Sequence, residues 1–563
     1  MRWTIKPKPE PRHVQELARV LNVDELVSSL LIQRGVHTFE EARQFFRPDL
    51  EALHDPFLMK DMDKAIARIQ KAIVARERIL IYGDYDVDGT TSVALVSSYL
   101  LHFYPHVATY IPDRYKEGYG ISYQGIDFAH DNDFSLIIAL DCGVKALEKV
   151  TYAREKGIDF IICDHHRPGK ELPDAVAVLD PKRVDCTYPY DELCGCGIGF
   201  KLVQALALTR HQTVHELMPY LDLVVTAIAA DIVPVTGENR ILAFYGLKVI
   251  NDRTRPGIKA IVHQLKKKKL DITDVVFVIA PRINAAGRMQ HGRYAVELLT
   301  AKDFNVAVRH AAAIENFNTD RRNLDRQITA EALQYIQDHD EKKRYTTVVY
   351  HKDWHKGVIG IVASRLTETY YRPTVVFTKS GDVLAASARS VKHFDLYDAL
   401  EACSDCLEQF GGHKYAAGLT LKEEHYERFK QKFEAVVSTT IDRELLTPEI
   451  VVDAEINLSG IAPKLYRILR QFAPFGPGNM RPVFVTRNLQ DTGYAKGVGE
   501  EERHLKLKVT QNGSQLVSGI GFSLGHKLPL VARRKPFSAV YTINENEWNG
   551  KLSLQMKLKD IKA

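Results

Sequence analysis

Short apolar runs alternate with stretches of helical periodicity through the first half of the chain. Ile79 to Tyr82 is one such run, ended by Gly83, and Val107 to Ile111, Leu136 to Leu140 and Phe160 to Cys163 repeat it. Between them, Val93, Leu95, Val96 and Leu100 follow a helical pattern, as does the segment leading to Lys156 and Gly157. This alternation predicts parallel strands joined by crossover helices. Upstream, Val14, Leu17 and Leu21, then Leu26, Leu30 and Leu31, recur at near-helical spacing, and Met62 to Ala75 reads as a further helix. Downstream, Leu221 to Ile232 is apolar almost throughout, and Ala295 to Asp338 is long, helical and charge-rich. Thr347 to Tyr350 and Val375 to Thr378 predict strands of a second α/β unit, with the helix Val358 to Thr369 between them. From about Ile450 the character changes. Short alternating strands at Leu505 to Val509, Leu516 to Ile520, Ala539 to Ile543 and Leu552 to Leu558, punctuated by Gly513, Gly519, Gly521 and Gly550, predict a small β-barrel of the OB type.

The expected class is therefore α/β: a parallel-sheet domain and a smaller α/β domain joined by a long helix, with a C-terminal OB-like barrel. At 563 residues the chain is too long for one core. The patterns divide it into an N-terminal helical segment (1–55), the parallel-sheet domain (56–290), a helical connector (291–345), the second α/β domain (346–445) and the barrel (446–563).

The predicted strands release their chemistry at one end. Asp84, Asp86 and Asp88 follow the first run at alternate positions, Asp141 follows the third, and Asp164, His165 and His166 follow the fourth. Parallel strands share a functional carboxyl edge, so these groups are expected in one crevice. Asp231, near the end of an apolar helix, needs a partner, because an unpaired buried charge is costly. A lone carboxylate at a strand end is usually a helix cap. Several in register make that accidental reading unlikely, and an oxygen-rich cluster suits Mg²⁺ or Mn²⁺. An EF-hand is excluded, because the loop lacks the clamping glutamate.

Composition narrows the class. Hydrophobic content of 45% and charged content of 26% are ordinary for a globular protein, and a net charge of +5 permits nucleic-acid binding without requiring it. No apolar stretch long enough for a membrane span and no signal peptide is expected, and seven scattered cysteines fit reduced thiols in a cytoplasm. Cys194-x-Cys196 and Cys403-x-x-Cys406 lack a second pair at zinc-finger spacing and read as structural. Lys266 to Lys269 reads as solvated, and so does the charged face of the connector.

The acidic and imidazole motifs resemble the DHH phosphoesterase superfamily: Asp84-Tyr-Asp-Val-Asp-Gly89, Leu140-Asp-Cys-Gly-Val144, Asp164-His-His166 and the Ala-Ala-Asp ending at Asp231. Further stretches are similar to the RecJ branch: Arg114 to Gly120, Pro281 to Arg288, Trp354 to Ile361, Ser387 to Ser390, Phe410 to His413 and Pro474 to Asn479. The resemblance implies a DHH domain, a DHH-associated domain and an OB-like domain. It also implies a 5′-to-3′ exonuclease on single-stranded DNA that releases 5′-mononucleotides in DNA repair and recombination. Two divalent cations, Mn²⁺ or Mg²⁺, are implied at roughly 3.5–4 Å from each other. Asp84 and Asp86 would hold one, Asp88, His165 and Asp231 the other, and Asp141 both. His166 would act on the scissile phosphate, with Asp164 orienting an imidazole, and Arg282 and His413 would stabilise phosphate charge. Arg114, Ser387 and Arg389 would hold the 5′ phosphate, and Asn284, Gly411 and Gly412 would line the substrate cleft. The implied setting is a cytoplasmic monomer whose partners are single-stranded DNA, a single-stranded-DNA-binding protein and a RecQ-type helicase, with no membrane. The barrel would grip the strand through basic and aromatic groups such as Arg503, Lys506, Lys508, Tyr494, Tyr541 and Trp548. Two other classes share some of these features. One is a phosphoesterase on small substrates, which has no use for a barrel. The other is a scaffold without activity, which has no use for a full set of ligands.

Overall fold

The computed structural model describes residues 1–563 except Gln264, Lys266, Lys268, Asp340, Arg533, Arg534 and Asn549, and except the side chains of Trp548 and Lys551. Part of the Lys266 to Lys269 run and the Trp548 ring thus lie outside the described residues. The chain opens with β1 (Arg2–Ile5) and three helices, Pro11–Leu21, Glu25–Ile32 and Phe39–Phe46. A parallel sheet follows: β2 (Arg78–Gly83), β3 (Val107–Tyr110), β4 (Phe134–Leu140), β5 (Asp159–Cys163) and β6 (Ala177–Leu179), in spatial order β3-β2-β4-β5-β6. The strands are apolar on both faces because both are covered. Ile79, Ile81, Leu136 and Ile138 pack against the helices Val87–Leu100, Gly195–Thr209 and Leu221–Asp231, while Leu80, Tyr82, Ile137 and Phe160 pack against Ile126, Ala129 and Val150. β6 escaped the pattern, since three residues carry too little periodicity.

The second domain is a mixed sheet of β7 (Thr347–Tyr350), β8 (Thr374–Ser380), β9 (Val383–Arg389), β10 (Gln409–His413) and β11 (Ala416–Leu421), in order β10-β11-β9-β8-β7. The helix Phe304–Asp338 leads into it and is not simply solvated. Ile328, Ala332 and Ile336 pack on Ile359, Val362 and Leu366, and the fully buried Asp325 accepts a bidentate fork from Arg365 at 2.7 and 2.6 Å.

β12 (Glu449–Val452) then returns to pair in parallel with β1. The last domain comprises β13 (Ala454–Glu455), β14 (Phe484–Asp491), β15 (Lys496–Val498), β16 (His504–Thr510), β17 (Val517–Gly521), β18 (Phe537–Trp548) and β19 (Lys551–Lys562). β14 pairs with both β18 and β16, so the ring β14-β18-β19-β17-β16 closes into a barrel. Its core is continuous with the N-terminal helices: Leu17, Val27, Leu30 and Leu31 share one cluster with Leu458, Phe472, Phe484 and Phe537. The N-terminal segment therefore belongs physically to the barrel, which neither stretch reveals by its own pattern. Among the described residues, no helix is long and apolar enough to cross a membrane.

Arg240 joins this composite to the parallel-sheet domain. It is buried, its guanidinium lies 3.8 Å from the centre of the Phe45 ring, and it donates to the carbonyls of Phe45 (2.7 Å), Phe472 (2.9 Å) and Ala473 (3.2 Å). Replacing it strands buried acceptors, each costing about 1–3 kcal/mol. Arg240→Met is expected to make the junctions near Phe45 and Phe472 several-fold easier to cleave in limited proteolysis, and unaltered resistance would show that the contact does not hold the domains.

Candidate functional site

The carboxyl edge of the parallel sheet carries the acidic cluster. Gly83 pairs with Leu140 and Leu140 with Cys163, so Asp84, Asp141 and Asp164 leave adjacent strands at one level. The next helix begins at Val87, where Asp86 caps it by accepting from the Gly89 amide at 3.1 Å. That turn buries Asp88, whose two oxygens accept from the Gly195 and Cys196 amides at 2.6 Å each. His165 lies among the acids: its Nε2 is 3.1 Å from Asp141 Oδ1 and 3.7 Å from both Asp88 Oδ2 and Asp231 Oδ2. Asp88, His165 and Asp231 offer ligand atoms within 4.8 Å of one another, and so do Asp141, His165 and His166. Asp141 feels the charges of Asp88, Asp86, Asp231 and Asp84.

Electrostatics show what this cluster lacks. Burial and then Asp86 push Asp84 up to about 8, and its Oδ2 is buried without a partner. Burial and Asp86 likewise raise Asp231 to about 7, while burial and neighbouring acids hold Asp88 and Asp141 well above the usual carboxylate range. Burial, reinforced by His166, drives His165 down to about 3, so its imidazole is neutral and free to ligate. A set of oxygens with a neutral imidazole, unable to carry its own charge, fits hard divalent cations such as Mn²⁺ or Mg²⁺.

Asp164 stands apart. Burial is the largest influence and works to raise it, but the hydrogen bond from His166 Nδ1 at 2.7 Å, the His166 charge and the Val144 amide together outweigh burial and keep the carboxyl down at about 2. The same bond, acting against burial, raises His166. The other face of His166 meets Tyr119, whose hydroxyl is 3.2 Å from Nε2, and its ring stacks on His413 of β10 at 6.0 Å and 10°. The crevice therefore lies between the two α/β domains. Gly411 and Gly412 sit beside His413, exposed on that opposite wall.

A second cluster, of arginines, lines one end of the crevice. Arg114 stacks at 4.0 Å on Tyr85, and its charge reaches Asp84. Ser387 and Arg389 are two apart on β9 and face the same way. A Cβ on Gly360, at the start of the helix Ile359–Tyr370, would lie 3.2 Å from both Ser387 Oγ and Arg389 Nη2. The bare glycine leaves both side chains room beside that helix N-terminus, and such a terminus favours anions. Arg288, which only its motif had marked, completes the group: burial and then Arg114, Arg389 and Arg321 lower it to about 9. Two other expected residues sit apart from these contacts. Arg282 is taken by Glu315 at 2.5 Å and the Val278 carbonyl at 2.9 Å, and Asn284 is half-buried on the same helix.

Three further residues carry weight that the motifs hid. Gly195 must be glycine, since a Cβ there would meet Asp141 Oδ1 at 2.8 Å. The meaning of Cys194-Gly-Cys196 thus lies in its backbone, while both thiols are buried and free. Asp180 and Lys182 extend β6 along the same edge. On the barrel, Tyr541 is fully buried and bonded to Thr486, so the expectation that it contacts DNA is corrected. The outward face offers instead Lys496, Lys506 and Lys557 in one cross-strand row, with exposed Tyr494 beneath Lys496 and exposed Phe522 beneath Lys557.

Family models match three segments of the chain: the DHH family N-terminal domain over residues 78–228, the DHHA1 domain over 342–439 and the RecJ OB domain over 452–560. The single-stranded-DNA-specific exonuclease RecJ of Bacillus subtilis (strain 168) is 36% identical over 570 residues, covering 100% of this chain and 70% of its own. The protein of the same name from Escherichia coli (strain K12) is 32% identical over 576 residues, covering 98% of each. The crystal structure of RecJ from Thermus thermophilus in complex with Mn²⁺ superposes with a TM-score of 0.86 at 26% identity, covering 100% of this chain and 79% of that one.

The acid cluster makes a signed pH prediction. Without cations, Asp84 and Asp231 keep protons up to about 8 and about 7, whereas unfolded aspartates release theirs near pH 4. The folded state then binds more protons than the unfolded one, so its stability falls as pH rises across that window. A bound cation displaces those protons. The rise in Tm produced by Mn²⁺ over a chelator should therefore grow between about pH 5.5 and about pH 8.5. A rise that stays flat across that range would contradict the assignment.

Proposed function

The chain belongs to the RecJ family of single-stranded-DNA-specific exonucleases, and from that premise we propose that it degrades single-stranded DNA from the 5′ end, releasing 5′-mononucleotides with two divalent cations. Membership makes it a metal-dependent exonuclease, while direction, cation number and residue roles are taken from the family resemblance, and the geometry of the crevice supports them. The observation that carries the reading is the pairing of an under-neutralised acid cluster with an under-neutralised arginine cluster in one crevice: Asp84 feels Arg114, and Asp86 acts on Arg288. Acids demand cations, arginines demand a phosphate, and a crevice holding both fits a strand end whose terminal phosphate lies close to the bond that is cut.

In this reading Asp84 and Asp86 would hold one cation, Asp88, His165 and Asp231 the other, and Asp141 would serve both. When bound, the cations neutralise the phosphoryl oxygens and activate the attacking water. The chain supplies the rest. Arg114, Ser387, Arg389 and the helix N-terminus at Gly360 grip the terminal 5′ phosphate. His166, whose basicity the Asp164 carboxylate raises against burial, is placed to give an Nε2 proton to the departing 3′ oxygen, so that the P–O3′ bond breaks and a 3′ hydroxyl forms. Tyr119 orients that proton. The exposed stacking of His413 on His166 lets β10 close the crevice over the phosphate.

The barrel supports the choice of a polymeric substrate over a small one. Its lysine row and exposed Tyr494 and Phe522 suit sequence-independent holding of a strand, each stacked base contributing about 1–3 kcal/mol. Action in DNA repair and recombination, in a cytoplasm and beside a single-stranded-DNA-binding protein and a RecQ-type helicase, is included on the family resemblance alone.

Two substitutions test the reading. Arg389→Ala should lower the preference for 5′-phosphorylated over 5′-hydroxyl oligonucleotides by roughly 10–100-fold, since a hydrogen bond to a charged group contributes about 1.5–3 kcal/mol. An unaltered ratio would remove the end-reading pocket. Asp141→Ala should abolish cleavage and empty the centre of cations, counted by mass spectrometry of the intact native protein after addition of Mn²⁺. Retention of two tightly bound ions would remove Asp141 from its shared position.

A further inference from the structure

The sheet's outermost strand has no part in the scheme above, yet its end is built into the crevice. Cys163 pairs with Leu179, and the Asp164 amide donates to the Leu179 carbonyl at 3.0 Å. Continuing the two chains sets Asp180 beside Asp164, whose charge acts on it, and the turn that follows carries Lys182. Asp180 is completely buried, its Oδ1 accepts from the Lys182 amide at 2.8 Å, and its Oδ2 has no partner. That bond fixes the turn from which the half-buried Lys182 projects, and its ammonium has no ion-pair partner among the described residues. His165, Asp231 and His413 all feel its charge, which sets the ammonium between the acid floor and the opposite wall. Lys145 joins it from the loop after β4, on the other side of β5. The Val144 amide donates to Asp164 Oδ2 at 2.9 Å, and the next residue, Lys145, is exposed and acts on His413.

Cations are thus sorted along the crevice. Arginines stand at the end near Asp84 and Asp86, lysines at the end near Asp231 and His413, and the acids lie between. A guanidinium suits one fixed phosphate gripped by paired bonds, whereas a flexible ammonium suits phosphates that shift as a strand advances. Resting on the 5′-end reading, we propose that Lys182, supported by Lys145, forms a rail for the phosphates on the 3′ side of the cut. The enzyme then holds its strand on both sides of the scissile bond within the catalytic domains, before the barrel is reached.

Substrate length tests this directly. A 5′-phosphorylated dinucleotide has no phosphate beyond the scissile one, and a trinucleotide has one. In Lys182→Gln, the ratio of kcat/KM for trinucleotide over dinucleotide should fall about tenfold, the scale of one charge-assisted hydrogen bond. Lys145→Gln, at an exposed position, should give a smaller fall, and Lys182→Arg should restore most of the ratio. The plot of log ratio against log salt should become shallower by about 0.7 in Lys182→Gln, as for one lost phosphate contact on a single strand. Equal losses on both substrates would put Lys182 at the scissile phosphate or in the fold, and an unaltered ratio in both variants would leave no rail. Either result overturns the assignment. If the unsubstituted enzyme released the 3′-terminal nucleotide of the trinucleotide first, the 5′-end reading itself would fall and take the rail with it, an outcome seen without any substitution.

Discussion

Repulsion among buried carboxylates is the constraint on which the rest of the structure depends. Asp84, Asp88 and Asp141 are almost wholly removed from water, and Asp231 is held close by, so each suffers from its neighbours as well as from desolvation. Nothing in the apolar packing below the sheet edge relieves this. The fold instead delivers small polar corrections: the amides of Gly195 and Cys196 on Asp88, the Gly120 amide at 3.3 Å on Asp84, and the neutral ring of His165 against Asp141. These corrections fix the positions of the acids without cancelling their charge. The residual demand for cations is the function. Local strain follows the same logic. Ile232, directly after Asp231, is a β-branched residue in the left-handed region at φ 60°, a conformation costing about 1–3 kcal/mol that the surrounding structure must enforce.

Most of this centre was legible in the chain because it lies at strand ends, where a change from apolar to acidic is abrupt. Asp84, Asp141 and Asp164 could be placed on one edge from periodicity alone, and the register of β2, β4 and β5 agrees. Legibility failed wherever a residue acts through its backbone or through a distant partner. Gly195 is embedded in a cysteine-rich motif that draws attention to sulfur, yet its amide and its missing side chain are what the centre uses. Asp180 and Lys182 follow a three-residue strand too short to announce itself. Tyr541 carries the composition of a base-stacking residue, but its direction depends on strand register in a closed barrel, which turns it inward. The connector helix was misread for a related reason. A charge-rich sequence with one buried aspartate looks solvated until Arg365, forty positions away, is brought to it.

Reading the cations together gives the crevice a direction. The arginines are mutually destabilising, and Arg288 titrates low because burial leaves it among Arg114, Arg389 and Arg321. Arg114, Arg288 and Arg389 make no ion pair among the described residues, so this end holds excess charge opposite in sign to that of the acids. A terminal phosphate carries more charge than an internal one, so it is the group that this end can discriminate. At the other end Lys182 and Lys145, with no fork and no helix terminus, would offer charge without shape. Shape-specific recognition at one end and shape-blind attraction at the other are what an enzyme needs to find an end and then ignore sequence.

The physical continuity of the chain limits how far grip and chemistry are separable. The composition change near residue 450 invites the view that a chain ending before it would keep a complete catalytic body. The fold argues otherwise. β12 is the partner of β1, so such a cut leaves the first strand unpaired, with Trp3 deprived of the Asp560 carboxylate that its indole bonds at 2.9 Å. It also uncovers the side of Leu17, Val27, Leu30 and Leu31 that shares a core with Leu458, Phe472, Phe484 and Phe537. Arg240 would keep the Phe45 carbonyl and lose those of Phe472 and Ala473, leaving a buried cation half-solvated at the base of the catalytic domain. The barrel is thus a domain by its sheet but not by its core. A cut that removes both residues 1–47 and the barrel is the one that follows the packing, since Leu50 and Leu53 already belong to the core of the parallel-sheet domain, and Arg240, freed of every carbonyl it now holds, then faces water instead of a broken interface.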